Sequence, residues 1–117
     1  MSFEAFDVVV VPFPFTDRSS TKRRPALVLS GRDTFNHPSG HSVLAMITSA
    51  KQSRWPLDVE ITDLDSAGLP SASVVRMKLF TLADPLVMRQ AGALAQVDQH
   101  AVADGLARLL CRSERLG

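Results

Sequence analysis

The chain has 117 residues, is 45% hydrophobic and carries a formal net charge of +1, which suits one domain, residues 1–117, with a substantial core. Its single cysteine, Cys111, excludes an internal disulfide and a cluster of thiolate metal ligands. No basic-then-apolar leader opens the chain and no apolar run approaches a membrane span, so a reducing cytoplasm is the expected compartment.

The first element is a strand at Val8–Pro12, and the second is Ala26–Ser30. Both are short, continuous apolar runs rich in valine and leucine, the pattern of strands covered on both faces. Between them lie Pro12-Phe13-Pro14-Phe15 and then Arg18, Lys22, Arg23 and Arg24. Proline fixes φ at two of these positions and sets aromatic rings beside the charge. Adjacent cations repel one another, so a chain that keeps them presents them to an anion. Rings beside cations suit a single-stranded nucleic acid, whose bases stack and whose phosphates need neutralising.

Gly31–His41 reads as a loop of turn formers, followed by a third strand at Ser42–Thr48. The polar stretch Lys51–Pro56 ends at a boundary, Trp55-Pro56. Leu57–Ile61 alternates apolar and acidic residues, as a strand with one wet face does. Thr62–Ser71 reads as a turn region, and Ser73–Leu82 as one strand or two with a bend. The two-residue period puts Arg76 and Lys78 on one face. Ala91–Gln96 adds a short strand.

After this the period changes. Val102, Leu106, Leu109 and Leu110 recur at helical spacing, which predicts a helix over Gln99–Arg112 with Asp98 as its N-cap. Val97 and Val102 are placed as a hydrophobic staple, Arg108 and Arg112 suit the C-terminal dipole, and Gly105 permits close packing. Cys111 reads as a small buried hydrophobe on this helix. Short strands with one terminal helix predict a small antiparallel barrel.

Charge is distributed unevenly. From Arg18 to Arg54 there are seven Lys/Arg and one acid, whereas Asp58–Asp65 holds four acids and no base. Local field outweighs net charge for an anionic ligand. No phosphate-binding glycine loop, H-E-x-x-H or G-x-S-x-G is present. His37, His41 and His100 are too scattered for a metal site, and no cofactor is implied. Arg24 is the best single candidate: the following proline holds it extended, and its guanidinium can grip a phosphate bidentately. Thr48 and Ser49 bring hydroxyls to a strand end. Trp55 and Phe15 are candidates for base stacking or for packing.

The order D-V-V-V-V-P-F-P-F, then K-R-R-P-A-L-V-L-S, then Ile47-Thr48-Ser49, then Ser73–Leu82, resembles the MazF/PemK-like toxins of bacterial type II toxin–antitoxin systems. The resemblance spans roughly residues 6–82. It implies a mainly β fold, a small SH3-like antiparallel β-barrel with a C-terminal α-helix. It also implies a metal-independent endoribonuclease that cleaves single-stranded RNA by attack of the 2′-OH on the adjacent phosphate. By the same resemblance the catalytic residues are Arg24, Thr48 and Arg76. Phe15, Arg18, Lys22, Arg23, Ser49, Lys51, Arg54, Trp55 and Lys78 are then the RNA-binding set. The implied partners are a second copy of the chain and a cognate antitoxin whose tail competes for the basic groove.

The sequence departs from the family pattern. Lys78 stands where some members carry an acid, Ser19-Ser20 where many carry a glutamate, and Phe6-Asp7 where Gly-Asp is usual. The general base is thereby left unassigned. A module that uses the same barrel to bind nucleic acid or protein without cleaving, as the related gyrase poisons do, is the alternative.

Overall fold

The computed structural model describes residues 2–13 and 22–110. Phe15, Arg18 and Cys111 lie outside them. In chain order the elements are β1 (Asp7–Phe13), β2 (Lys22–Val28), a π-turn segment (Arg32–Asn36) running into α1 (His37–Ser39), and β3 (His41–Ser49). Then come β4 (Val59–Glu60), α2 (Leu64–Ala67), β5 (Ser73–Ala83), a 3-10 turn (Asp84–Leu86), β6 (Arg89–Ala93) and α3 (Gln96–Leu109). One antiparallel sheet of order β4-β5-β3-β2-β1-β6 results, a curled half-barrel closed on one side by α3.

The continuous apolar runs behave as doubly covered strands: Val8, Val9, Val11, Ala26, Leu27 and Val28 are fully buried. Alternation splits their side chains between two cores. Val8, Leu27, Ala45, Ile47 and Val75 pack on one face with Ala67 and Val102 of α2 and α3. Val9, Val11, Ala26, Val28, Leu44 and Leu82 form the other core beneath Phe3.

Several elements differ from the sequence reading. The second strand begins at Lys22, because the cationic segment pairs with β1 (Pro12 with Arg23, Val11 with Arg24). The Gly31–His41 loop is largely helical, and buried Asn36 anchors it by donating to the carbonyls of Phe3 and Ser30, 2.8 Å each. Only Val59–Glu60 of the expected Leu57–Ile61 strand pairs, and the Thr62–Ser71 turn region contains α2. The short strand after β5 starts earlier, at Arg89.

The terminal helix also starts earlier than expected, at Gln96. Asp98 lies inside its first turn and is no N-cap; it accepts hydrogen bonds from the Thr62 and Asp63 backbone N–H groups and from Thr62 Oγ1. Val97 is 63% exposed while Val102 is fully buried, so they form no staple. Gly105 does permit close packing, since a Cβ there would stand 2.9 Å from Met77 Cε.

Two glycines set the outer edge. A Cβ at Gly68 would lie 2.1 Å from the Ala91 carbonyl oxygen, and one at Gly92 would lie 2.4 Å from that of Ser66. The chain after α2 therefore presses directly on β6, the sheet's last strand, and shields it.

Candidate functional site

β1, β2, β3 and β5 bring side chains to one patch of the sheet. Register explains why. Val11 faces Arg24, Ala26 faces Met46, and Met46 faces Arg76. Residues paired across antiparallel strands share a face, as do residues two apart on one strand. Phe13, Arg24, Met46, Thr48 and Arg76 therefore gather together. Between Ala45 and Met46 the β3–β5 register shifts, the partners passing from Leu79 to Arg76. Met77 and Lys78 are the extra residues of this bulge, a device that re-aims side chains.

The product is a cleft of about 170 Å³ lined by Phe13, Arg24, Met46, Thr48, Trp55, Arg76 and Lys78. Arg24 is exposed, with its guanidinium carbon 5.3 Å from the centre of the Phe13 ring. Thr48 is half-buried near the end of β3.

Arg76 is held from several directions. Its Nε and Nη2 donate to the two carboxylate oxygens of Asp58, at 3.2 and 2.9 Å, and Nη2 also donates to the Ser53 carbonyl. Its guanidinium carbon stands 5.1 Å from the centre of the Trp55 ring. The same Asp58 carboxylate accepts from the Trp55 backbone N–H at 2.9 Å, and Asp58 N–H donates to the Trp55 carbonyl. Trp55–Asp58 is thus a closed turn. Pro56 is its second residue and Leu57 its third, with φ of +66°. A type II turn demands this backbone and prefers glycine at that point. Leucine there is strained by roughly 1 kcal/mol. The Asp58 bonds on either side hold the strained turn in place.

The hydrogen bonds from Arg76 lower the Asp58 pKa below the usual carboxylate range, with the Trp55 N–H adding to the effect. The same bond raises the pKa of Arg76. The carboxylate is therefore an ion-pair partner and unsuited to act as a base near neutral pH.

Of the residues singled out from sequence, Arg24, Thr48, Trp55, Arg76 and Lys78 meet in this cleft. Arg23 lines a different cleft, which Arg24 also borders. Lys22 is exposed at the start of β2, and Lys51 and Arg54 are exposed outside the cleft wall. Ser49 lies at the end of β3, where its Oγ accepts the Lys51 N–H at 3.2 Å. Sequence reasoning singled out neither Met46 of the cleft wall nor Asp58 behind it, and met Phe13 only as one of the rings beside the cations. The alternation Val9, Val11, Phe13 carries the signal for Phe13, and Trp-Pro-Leu-Asp, a turn closed by an acid, carries it for Asp58. Among the described residues no group of three or more His, Cys, Asp or Glu is placed to hold a metal ion. No helix among them is long and apolar enough to cross a membrane.

A family model described as the PemK-like, MazF-like toxin of type II toxin–antitoxin systems matches residues 4–110. Among solved structures, the chain is similar to one in the MazE-MazF structure from Deinococcus radiodurans. Identity is 23%, coverage 97% of this chain and 99% of that one, and the TM-score 0.73. A mycobacterial endoribonuclease in complex with its cognate antitoxin aligns at 15% identity over 92% and 91% of the two chains, with a TM-score of 0.70. The Mycobacterium tuberculosis toxin MazF-mt6 aligns at 21% identity over 87% and 93%, with a TM-score of 0.66. No curated protein matches the chain.

Proposed function

The chain belongs to the PemK-like, MazF-like toxins of type II toxin–antitoxin systems, and from that premise we propose that it is an endoribonuclease acting on single-stranded RNA at the Arg24–Thr48–Arg76 cleft. One observation supports this above all. Three residues far apart in sequence, each matched to the family pattern, line a single cleft with a tryptophan and a lysine.

The chemistry follows from the side chains. RNA brings its own nucleophile, the 2′-OH. It attacks the adjacent phosphorus, the P–O5′ bond breaks, and a 2′,3′-cyclic phosphate and a 5′-hydroxyl result. The proton lost from the 2′-oxygen passes to solvent, and the leaving 5′-oxygen takes one from Lys78. Arg24 grips the non-bridging oxygens as charge grows on them, and Thr48 Oγ1 donates to one of them. Arg76 spends Nε and Nη2 on Asp58 and Ser53, which leaves Nη1 for the phosphate. Trp55, 44% exposed, offers a stacking face for a base. The reaction is proposed as metal-independent, drawing on the arginine, threonine and lysine side chains that line the cleft among the described residues.

The protein is proposed to act in the cytoplasm as a homodimer. Its proposed regulator is an antitoxin with an acidic segment, and relatives of this fold have been crystallised with theirs. The test is incubation of the purified chain with unstructured RNA in EDTA. Products ending in cyclic phosphate and 5′-hydroxyl support the reading.

A second reading rests on one observation: among the described residues lining the cleft there is no acid or histidine to take the 2′-proton. In this reading the chain binds nucleic acid without cleaving it. Binding with no product over long incubation selects it.

A further inference from the structure

Arg23, Arg24 and Arg89 line a second cleft, of about 390 Å³, floored by Val10, Leu69 and Met88 among others. Register accounts for the grouping. Val10 pairs with Pro25 on one side and with Arg89 on the other, while Pro12 pairs with Arg23. Arg23 and Arg89 therefore share a face two strands apart. Strand geometry separates their Cα atoms by about 12 Å, so their guanidiniums reach one phosphate or two successive ones. Both are exposed, and among the described residues neither side chain has a hydrogen-bond or ion-pair partner. Two guanidiniums, those of Arg23 and Arg89, around one concavity that no acid lines among the described residues repel one another, and a polyanion relieves this. Arg24 lines this cleft and the Thr48 cleft as well.

We infer that this cleft is a second phosphate-binding subsite, holding the flank of the same single strand after it passes Arg24. The identity of the strand as RNA rests on the function proposed above. The cationic rim takes the phosphates, and the apolar floor takes ribose or base faces. Gly68 and Gly92 make the wall possible, because they let the chain after α2 close against β6. The subsite adds Arg89, which the sequence patterns did not single out, and gives Arg23 a role away from the reacting phosphate.

The experiment measures binding of a fluorescein-labelled, 12-nucleotide all-2′-deoxy strand, which has no nucleophile, as a function of salt. Arg89→Ala should bind about fivefold more weakly near physiological salt, with a log–log salt slope lower by about 0.7. Arg23→Ala should do the same, which covers the case in which Arg89→Ala fails to fold. Arg108→Ala, in the last turn of α3 and in neither cleft, should match wild type. In cleavage assays Arg89→Ala should raise KM and leave kcat unchanged, the mark of uniform binding. Wild-type affinity and slope in both arginine variants overturn the inference. So does a change in sedimentation mass on losing Arg89, which makes the cleft a contact between copies. Arginine-dependent binding of a Glu/Leu peptide without any arginine dependence for the strand overturns it too. If wild type cleaves no RNA while the slope change holds, the subsite stands and the ribonuclease reading fails.

Discussion

Asp58 and Arg76 meet at 2.9 Å with side chains only 3% and 11% exposed. Through that pair a strand residue holds the whole Trp55 turn over the cleft. The carboxylate serves two clients, the guanidinium and the Trp55 backbone N–H, so removing it releases both.

Asp58→Ala should therefore free the turn. The chain has one tryptophan and no tyrosine, so intrinsic emission reports Trp55 directly. The expected outcome is a red-shifted emission together with cleavage reduced about tenfold or more, since small misplacements at a reacting centre are costly. Unchanged emission and rate would show that the turn is held by other contacts.

The same pair has a pH signature. The folded pKa of Asp58 is lowered from the ordinary 3.8. Its stabilisation is thus fully present above about pH 4 and is lost as pH falls through the lower, folded value. Melting temperatures of wild type and Asp58→Asn, measured from pH 7 down to pH 2.5, should converge at the acid end. A gap constant across that range would locate the effect outside the ionised pair.

Catalysis should depend on Arg24 and Thr48 far more than binding does, because their donors act on charge that grows in the transition state. Arg24→Ala and Thr48→Ala are each expected to lower the cleavage rate on the order of 100-fold. Melting temperature and mass should stay those of wild type. Normally folded variants that cleave at the wild-type rate would move the active site elsewhere.

Asp98, only 1% exposed, ties α3 to the turn before α2 through Thr62 and Asp63. Asp98→Ala leaves those donors without their acceptor, at a cost of about 2 kcal/mol. Thermal unfolding should show a midpoint lower by roughly 8 °C. A shift of under a degree would mean that water replaces the carboxylate.

Assembly is the last expectation. Val97, Leu109 and Leu110 of α3 and its end, together with Phe35 and Met88, leave large apolar side chains exposed on a single chain. Sedimentation at micromolar concentration should give twice the chain mass. A monomer mass throughout would count against the homodimer.

The amino-acid sequence by itself determined the strands whose runs are buried on both faces, the late change to helical period, and the family. Each of these is written in contiguous residues: Val8–Val11, Ala26–Leu29 and the K-R-R-P-A-L-V-L-S segment. It also offered two candidates for the site, Arg24 because the proline after it marks it locally, and Thr48 through the resemblance to the family. What only the tertiary structure decided depends on register and on groups meeting from different elements. Asp98 looked like a cap because caps are judged from neighbours in the chain, and its partners Thr62 and Asp63 lie more than thirty residues away. Asp58 looked like one acid in a solvated acidic run until the β3–β5 bulge set Arg76 against it. Arg23 and Arg24 are neighbours in sequence, yet strand alternation sends them to opposite faces, so that only the second lines the cleft with Thr48.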